Sequence, residues 1–271
     1  GDAKAVLSGL LAVSQAITPA RRWQDAAYTG EIATRVSDWW AANRDLREST
    51  RSPVTMGRVI AEARKALPAD SIVTTSAGNI QAQVFQEMAF ARPRTYLSAG
   101  GFSTMGWSYP AALGAQLAAP GVPVVAMVGD GDFLMTFQEL ATAVQYNIPA
   151  VALVLNNQGW QAIRDLQRIA FGEGSDYATM FEREGQPVSP HLADAARAFG
   201  AHAVRISQPD EVRPALEEAL AARCPAVVEV MVDTELGSSG GLAPGWWDVP
   251  IPSYFPKQRT AYEEGRAEER V

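Results

Sequence analysis

Two short polar strings in this chain carry the residue types of a phosphate and metal site. Gly129-Asp130-Gly131-Asp132 directly follows an apolar run over 122–128, and Asn156-Asn157-Gln158-Gly159 directly follows a second apolar run over 150–155. Two glycines let a backbone approach a ligand closely, and the carboxylate between them can hold a hard divalent cation against phosphate oxygens. The second string offers amide and backbone oxygens. A carboxylate, an amide oxygen and a backbone carbonyl, joined by a diphosphate and water, complete an octahedral magnesium site. Either string alone is ambiguous, because acidic turns and Asn-Gly turns also serve as purely structural devices.

The elements on either side decide whether the two strings can meet. Uninterrupted apolar runs such as 122–128 and 150–155 mark parallel strands covered on both faces. Asp130 and Asn157 stand 27 residues apart, room for a helical crossover, which the pattern places over 136–146. The same alternation runs through the chain. A helix opens at Pro53 and continues to 66, Pro68 closes it, and a short strand covers 71–75. A helix over 81–90, a Gly-rich loop over 98–106 and a helix to 117 follow. Beyond the sites come a polar stretch over 172–189, long enough to act as a lid or to meet another subunit, then helix, strand, helix and strand over 191–199, 204–206, 212–222 and 226–232. This order predicts an α/β fold, a doubly wound and mainly parallel sheet flanked by helices, with its binding crevice at the carboxyl ends of the strands.

Three segments are expected. Residues 1–50 lack strand alternation and carry Trp23, Tyr28, Ile32, Trp39 and Trp40 as a helical packing stripe, the pattern of an arm or linker. Residues 51–235 form the α/β domain. Residues 236–271 are a tail rich in Gly, Pro and aromatics, including Gly245-Trp246-Trp247-Asp248-Val249-Pro250, and 263–271 reads as a solvated helix or frayed end. The missing initiator Met suggests a chain that is processed, trimmed or part of something longer.

Composition narrows the function classes. At 271 residues with 47% hydrophobic and 20% charged residues, the chain can bury a sizeable core. A net charge of −7 gives no extended phosphate-binding footprint, so nucleic acid is not an expected partner. One cysteine, Cys224, and two histidines, His191 and His202, cannot build a Cys/His zinc site, and none of the three falls in an acid/base constellation. No run of 18 apolar residues and no signal-peptide pattern occur, so no membrane partner is expected and a reducing, cytoplasmic setting is.

Taken with Gly100-Gly101-Phe102-Ser103-Thr104-Met105-Gly106 and Gln138-Glu139-Leu140, the two strings resemble the diphosphate-binding, or PP, domain of thiamine-diphosphate enzymes, in the acetolactate synthase-like group. The resemblance covers most of 53–232. It implies a magnesium ion (Mg2+) held by the Asp130 and Asn157 side chains and the Gly159 carbonyl. Gly129, Gly131 and Asp132 would line the diphosphate turn. Asp132 stands where the family often has a small hydroxyl residue, so its backbone N–H is the group expected to serve. Gly78, Asn79 and Gln81 resemble an additional phosphate-facing loop. Met105 would support the bent cofactor from beneath, and the Ser103 carbonyl would meet its exocyclic amine.

The same resemblance assigns Glu139 to the crossover helix and not to catalysis, since the cofactor-activating glutamate belongs to a separate pyrimidine-binding domain. The chain is therefore expected to supply one half of an active site, with a complementary pyrimidine-binding domain or subunit as partner and an oligomeric state. Residues 1–50 resemble the end of a middle domain, while 159–163 and 245–250 resemble features of trihydroxycyclohexanedione and cyclohexane-1,2-dione hydrolases, with Trp160 departing from that branch. The implied reaction breaks or forms a carbon–carbon bond next to a carbonyl in a 2-oxo acid or 1,2-dione, with Trp160 selecting the substrate and the tail covering the site. Alternatives are ring-dione hydrolysis, carboligation, decarboxylation, and a noncatalytic cofactor-binding subunit.

Overall fold

The computed structural model describes residues 1–17, 27–234 and 251–268. They fall into two compact units, Gly1–Arg44 and Asp45–Val271. In the first, α1 (Ala3–Ile17) and α2 (Ala27–Ala42) confirm helical structure. The aromatic stripe rides on α2 as the spacing requires, but Tyr28 and Ile32 are exposed and α2 buries none of its residues. Trp23 lies outside the described residues.

A short α3 (Arg44–Arg47) begins at the last residue of the first unit, and the second unit continues with α4 (Met56–Ala66). Thr55 caps α4 by accepting a hydrogen bond from Arg58 N, which sets the helix start just after the Pro53 position. The chain then alternates through β1 (Ile72–Thr75), α5 (Gly78–Glu87), β2 (Tyr96–Ser98), α6 (Ser108–Ala118) and β3 (Val124–Gly129). A single helical turn, α7 (Asp130–Phe133), precedes α8 (Glu139–Gln145) and β4 (Val151–Asn156). After α9 (Gln161–Phe171), the polar stretch folds into a small antiparallel pair, β5 (Glu182–Arg183) and β6 (Gln186–Pro187). Then come α10 (Leu192–Ala198), β7 (His202–Ile206), α11 (Val212–Ala221), β8 (Ala226–Met231) and α12 (Pro256–Glu268).

Six strands form one parallel sheet in the order β2-β1-β3-β4-β8-β7. Alternate residues of its central strands feed two cores. Val125 and Met127 of β3 with Leu153 and Leu155 of β4 join α4, α5 and α11 on one face. Val124, Ala126 and Val128 with Ala152 and Val154 join α6, α8 and α10 on the other. Every residue of β4 is buried, which accounts for its unbroken apolar run. Strand addition runs outward from β1 to β2 and then restarts on the other side of β1 with β3. That reversal sends successive loops to opposite faces and opens a crevice at the carboxyl ends of β1 and β3.

The C-terminal helix begins at Pro256, earlier than the charged stretch suggested. Its Tyr262, with Ile251 and Phe255, packs on Ala170 of α9, and Gln258 Nε2 donates to Phe171 O. The Trp246-Trp247 segment lies outside the described residues. Among the described residues, no helix is long and apolar enough to cross a membrane.

Candidate active site

A cleft of about 240 Å3 occupies the predicted crevice, lined from the carboxyl ends of β1, β3 and β4 and by the Gly-rich loop after β2. Of the residues singled out from sequence, Gly78, Asn79, Ser103, Met105, Gly129, Asp130, Gly131, Asp132, Asn157, Gly159 and Trp160 all line it. Gln81 does not. Its amide instead lies between Ser98 Oγ, to which Nε2 donates, and Ser103 Oγ, which donates to Oε1 at 2.9 Å.

The innermost feature is a cluster of oxygens. Asn157 Oδ1 lies 3.0 Å from Asp130 Oδ1 and 2.8 Å from the Gly159 carbonyl oxygen. Its Nδ2 donates to Gln161 Oε1 at 2.9 Å, and Gln161 Nε2 donates in turn to Thr234 O at 3.0 Å. Turning the Asn157 amide over would let it donate to Asp130 and Gly159 but would set its oxygen against Gln161 Oε1. Turning Gln161 as well would press its oxygen on the Thr234 carbonyl. The relay from Thr234 therefore holds the Asn157 oxygen inward, against two other acceptors, an arrangement that a bound cation relieves.

The chemistry of this donor set suits a hard cation. Among the described residues no group of three or more His, Cys, Asp or Glu side chains converges. One carboxylate with two neutral oxygens leaves room for phosphate and water ligands, the habit of magnesium. Asp130 is fully buried, and burial pushes its carboxyl from an ordinary 3.8 up to about 7, against hydrogen bonds from the backbone at Gly131, Gly159, Asp130 and Asn157. The Gly159 N–H, at 2.8 Å, accounts for Asp130 Oδ2.

Backbone geometry explains why these strings contain glycine. Gly159 has a φ of 153°, and a Cβ there would meet Thr179 O at 2.3 Å. A Cβ on Gly131 would meet the Trp160 indole Nε1 at 2.6 Å, so Trp160 lies directly over the Gly131 turn. Trp160 is held by its own N–H to Thr179 O at 2.7 Å and by its ring against Phe181 at 4.8 Å. Two longer helices, α5 and α9, begin at the cleft without a side-chain cap, leaving N–H groups and the positive ends of their dipoles toward it.

The tandem asparagines divide their work. Asn157 faces the cleft, while Asn156 is fully buried and donates to Glu229 Oε1 at 2.7 Å and to Ser189 Oγ at 2.8 Å, tying β4 to β8. The sequence did not single out Ser76, Gln161 or the 179–181 strap. Gln161 is four residues after Asn157, one helical turn, and that spacing was a readable signal. The strap lies some twenty residues away with no local mark. Glu139 accepts from Thr142 Oγ1 at the start of α8 and does not line the cleft. His191, His202 and Cys224 lie outside it too.

Comparison with known proteins gives this geometry a family. Residues 76–230 match the model described as thiamine pyrophosphate enzyme, C-terminal TPP binding domain. The chain is 29% identical over 241 residues to a probable acetolactate synthase large subunit of Methanocaldococcus jannaschii, covering 86% of this chain and 38% of that protein. It is 31% identical over 196 residues to the 3D-(3,5/4)-trihydroxycyclohexane-1,2-dione hydrolase of Halalkalibacterium halodurans, covering 72% and 30%. Among solved structures, the thiamine diphosphate-dependent 4-hydroxybenzoylformate decarboxylase of Rhodococcus jostii RHA1 aligns with a TM-score of 0.59 at 26% identity, over 69% of this chain and 34% of that one. The chain thus spans between a quarter and a half of the length of these relatives. With the diphosphate-binding fold, the strand-end cleft and a family match across most of the α/β unit, the chain belongs to the thiamine pyrophosphate enzyme family, as its C-terminal TPP-binding domain.

Proposed function

We propose that this chain supplies the diphosphate- and metal-binding half of an active site that uses thiamine diphosphate and magnesium to break or form a carbon–carbon bond next to a carbonyl, in a 2-oxo acid or a 1,2-dione. The observation that carries this reading is the convergence of Asp130 Oδ1, Asn157 Oδ1 and Gly159 O at the floor of the cleft. Those three oxygens would hold magnesium. The N–H groups of the Gly129-Asp130-Gly131-Asp132 turn and the uncapped start of α5 at Gly78 and Asn79 would receive the diphosphate. Met105 would support the cofactor's ring system and the Ser103 carbonyl its amine. Gln81 would act through the loop it pins.

Thiamine diphosphate would supply, when bound, a carbon nucleophile and a cationic ring that takes up the electrons of the broken bond. The chain's own contribution is placement and exclusion of water. Ile80, Met105, Trp160, Ile163 and Leu166 give the cleft an apolar wall, and Trp160 stands on the side of the metal ligand Gly159. Among the described residues, the carboxylates lining the cleft are Asp130 and Asp132. Asp130 is assigned to the metal, and Asp132 is engaged by Ser76 and Gly106. Among the described residues no further carboxylate lines the cleft to activate the cofactor, which supports a complementary pyrimidine-binding domain or subunit as partner in an oligomeric enzyme. Acidic charge and a single cysteine suit a cytoplasmic setting.

Crystals grown with manganese and thiamine diphosphate test the assignment. The anomalous peak is expected among the three oxygens, and a peak at a surface acidic cluster would overturn it. A second reading, ring-dione hydrolysis, draws on the 31% identical dione hydrolase and on Trp160 in the cleft wall, with Phe181 packed against it. Turnover of 2-oxo acids against cyclic diones by the complete enzyme separates the readings, and Trp160→Ala tests the part this wall plays in the choice. If Trp160 selects substrate, relative turnover of small 2-oxo acids and cyclic diones changes while cofactor affinity stays; equal loss on every substrate together with lost cofactor binding would mark it as a structural support.

A further inference from the structure

Asp132 has a carboxylate in a place where a diphosphate would repel it, yet its side chain is almost completely buried. Its two oxygens are taken by protein donors from two other segments. Ser76 Oγ, at the end of β1, donates to Oδ2, and the Gly106 N–H, immediately after Met105, donates to Oδ1. The Gly106 peptide is gripped from its other side too, since Thr136 Oγ1 donates to Gly106 O at 2.9 Å. Gly106 has a φ of 82°, and a Cβ there would lie 3.2 Å from Met135 Cβ and 3.1 Å from Thr136 Cγ2, so the loop end is seated closely on the turn that carries Asp132. Ser76 passes the connection on, because Ser103 Oγ lies 3.2 Å from Ser76 O.

Between these fixed points the loop is open. Gly100, Gly101, Phe102, Ser103 and Thr104 are exposed, and the Phe102 ring touches almost nothing. Ser103 itself has a φ of 51°, a conformation that a non-glycine residue keeps only when its surroundings hold it. Gln81 holds the start of the loop through Ser98, and Asp132 holds its end.

We propose that Asp132 is a positioning residue whose carboxylate latches the Gly-rich loop, fixing Ser103 and Met105 over the cleft, and that its side chain does not contact the diphosphate. The proposal rests on the functional reading above for what the loop positions, and on the hydrogen bonds alone for the latch. It accounts for a charged residue beside a phosphate site, since both oxygens point to donors of the protein.

Hydrogen exchange of the full chain, with and without magnesium pyrophosphate, separates the two claims. In Asp132→Ala the amides of 99–107 are expected to exchange at least about tenfold faster, while those of the distant 207–211 turn stay unchanged. Asp132→Asn can still accept from Gly106 N and pair with the Ser76 hydroxyl, so it should restore most of the protection. Ser76→Ala, a smaller change that removes one donor, should loosen the loop in part and guards against a misfolded Ala variant. Unchanged loop exchange in both Asp132→Ala and Ser76→Ala would overturn the latch, as would uniform acceleration over the whole chain. Calorimetric titration with magnesium pyrophosphate is expected to show no loss of affinity in Asp132→Asn, which removes a like charge and keeps the backbone N–H. A loss of affinity there without loop opening would instead make the side chain a diphosphate contact. Failure of the wild-type chain to bind magnesium pyrophosphate would count against the functional reading and leave the exchange result to decide the latch.

Discussion

Asp130 illustrates how burial prepares a group for a ligand. Its carboxyl is fully buried and pushed up to about 7, while Asn157 and Gly159 present further oxygens to it. A proton on Asp130 therefore competes with a cation. Manganese or magnesium affinity is expected to climb by about tenfold per pH unit below that value and to level off above it, which calorimetry between pH 5.5 and 8.5 would check by the rule that metal binding displaces ligand protons. The sign for the metal-free chain is the reverse. The folded value lies above the ordinary 3.8, so the unfolded chain ionises first and the contribution to stability is lost as pH rises through about 7. Asp130→Ala relieves the cost of burying a carboxylate but leaves the buried Gly159 N–H without its acceptor, so the two effects offset and thermal unfolding should change little. Metal-dependent binding of thiamine diphosphate should fall by roughly 10- to 100-fold, the worth of one charge-assisted contact. Unchanged affinity in that variant would strip Asp130 of its role.

At the scale of elements, the site is built where strand ends and helix starts meet, and this was the part most legible in the sequence. The unbroken apolar runs of β3 and β4 gave their double burial away, and the Gly129 and Asn157 strings marked their carboxyl ends. Less was readable where structure depends on distant partners. β2 has three residues, too few to show an alternation, and it exists because β1 offers it a parallel edge. Nothing local distinguished Asn156 from Asn157, since the difference is the buried Glu229 on β8. The 179–181 strap is likewise invisible without the fold, although Gly159 records its presence as a missing Cβ. That contact makes Gly159→Ala informative. A methyl group there runs into Thr179 O, and relief requires the strap or the Gly159 carbonyl of the oxygen cluster to move. The expected cost is roughly 1–3 kcal/mol of stability together with weaker manganese binding. Gly174→Ala is the control, because its φ is also positive but no atom lies within 4 Å of the added methyl, so it should lose only about 1 kcal/mol and leave metal affinity intact.

For the whole molecule, the distribution of charge in the cleft bears on what must lie opposite. Among the described residues two carboxylates line the cleft, one in the oxygen cluster and one held by Ser76 and Gly106. Outside the cleft, Phe85 on α5 and Phe102 on the Gly-rich loop are both open to solvent. On the function proposed above, a cofactor seated here would have its diphosphate end at the oxygen cluster and its other end toward a surface that a complementary domain would supply. The relatives, of which the chain spans no more than 38% in the case of the acetolactate synthase large subunit, have length to provide one. Native mass spectrometry of the protein purified with its natural partners is therefore expected to show this sequence in a complex with a pyrimidine-binding polypeptide, or within a longer chain that contains one. Mixing the isolated chain with that partner should restore turnover of a 2-oxo acid or dione, with an acidic side chain of the partner required for the cofactor's activation and Asp130 required for its binding. Full turnover by the isolated chain without any partner would show instead that the cleft is catalytically complete, and the division of the active site into two halves would have to be given up.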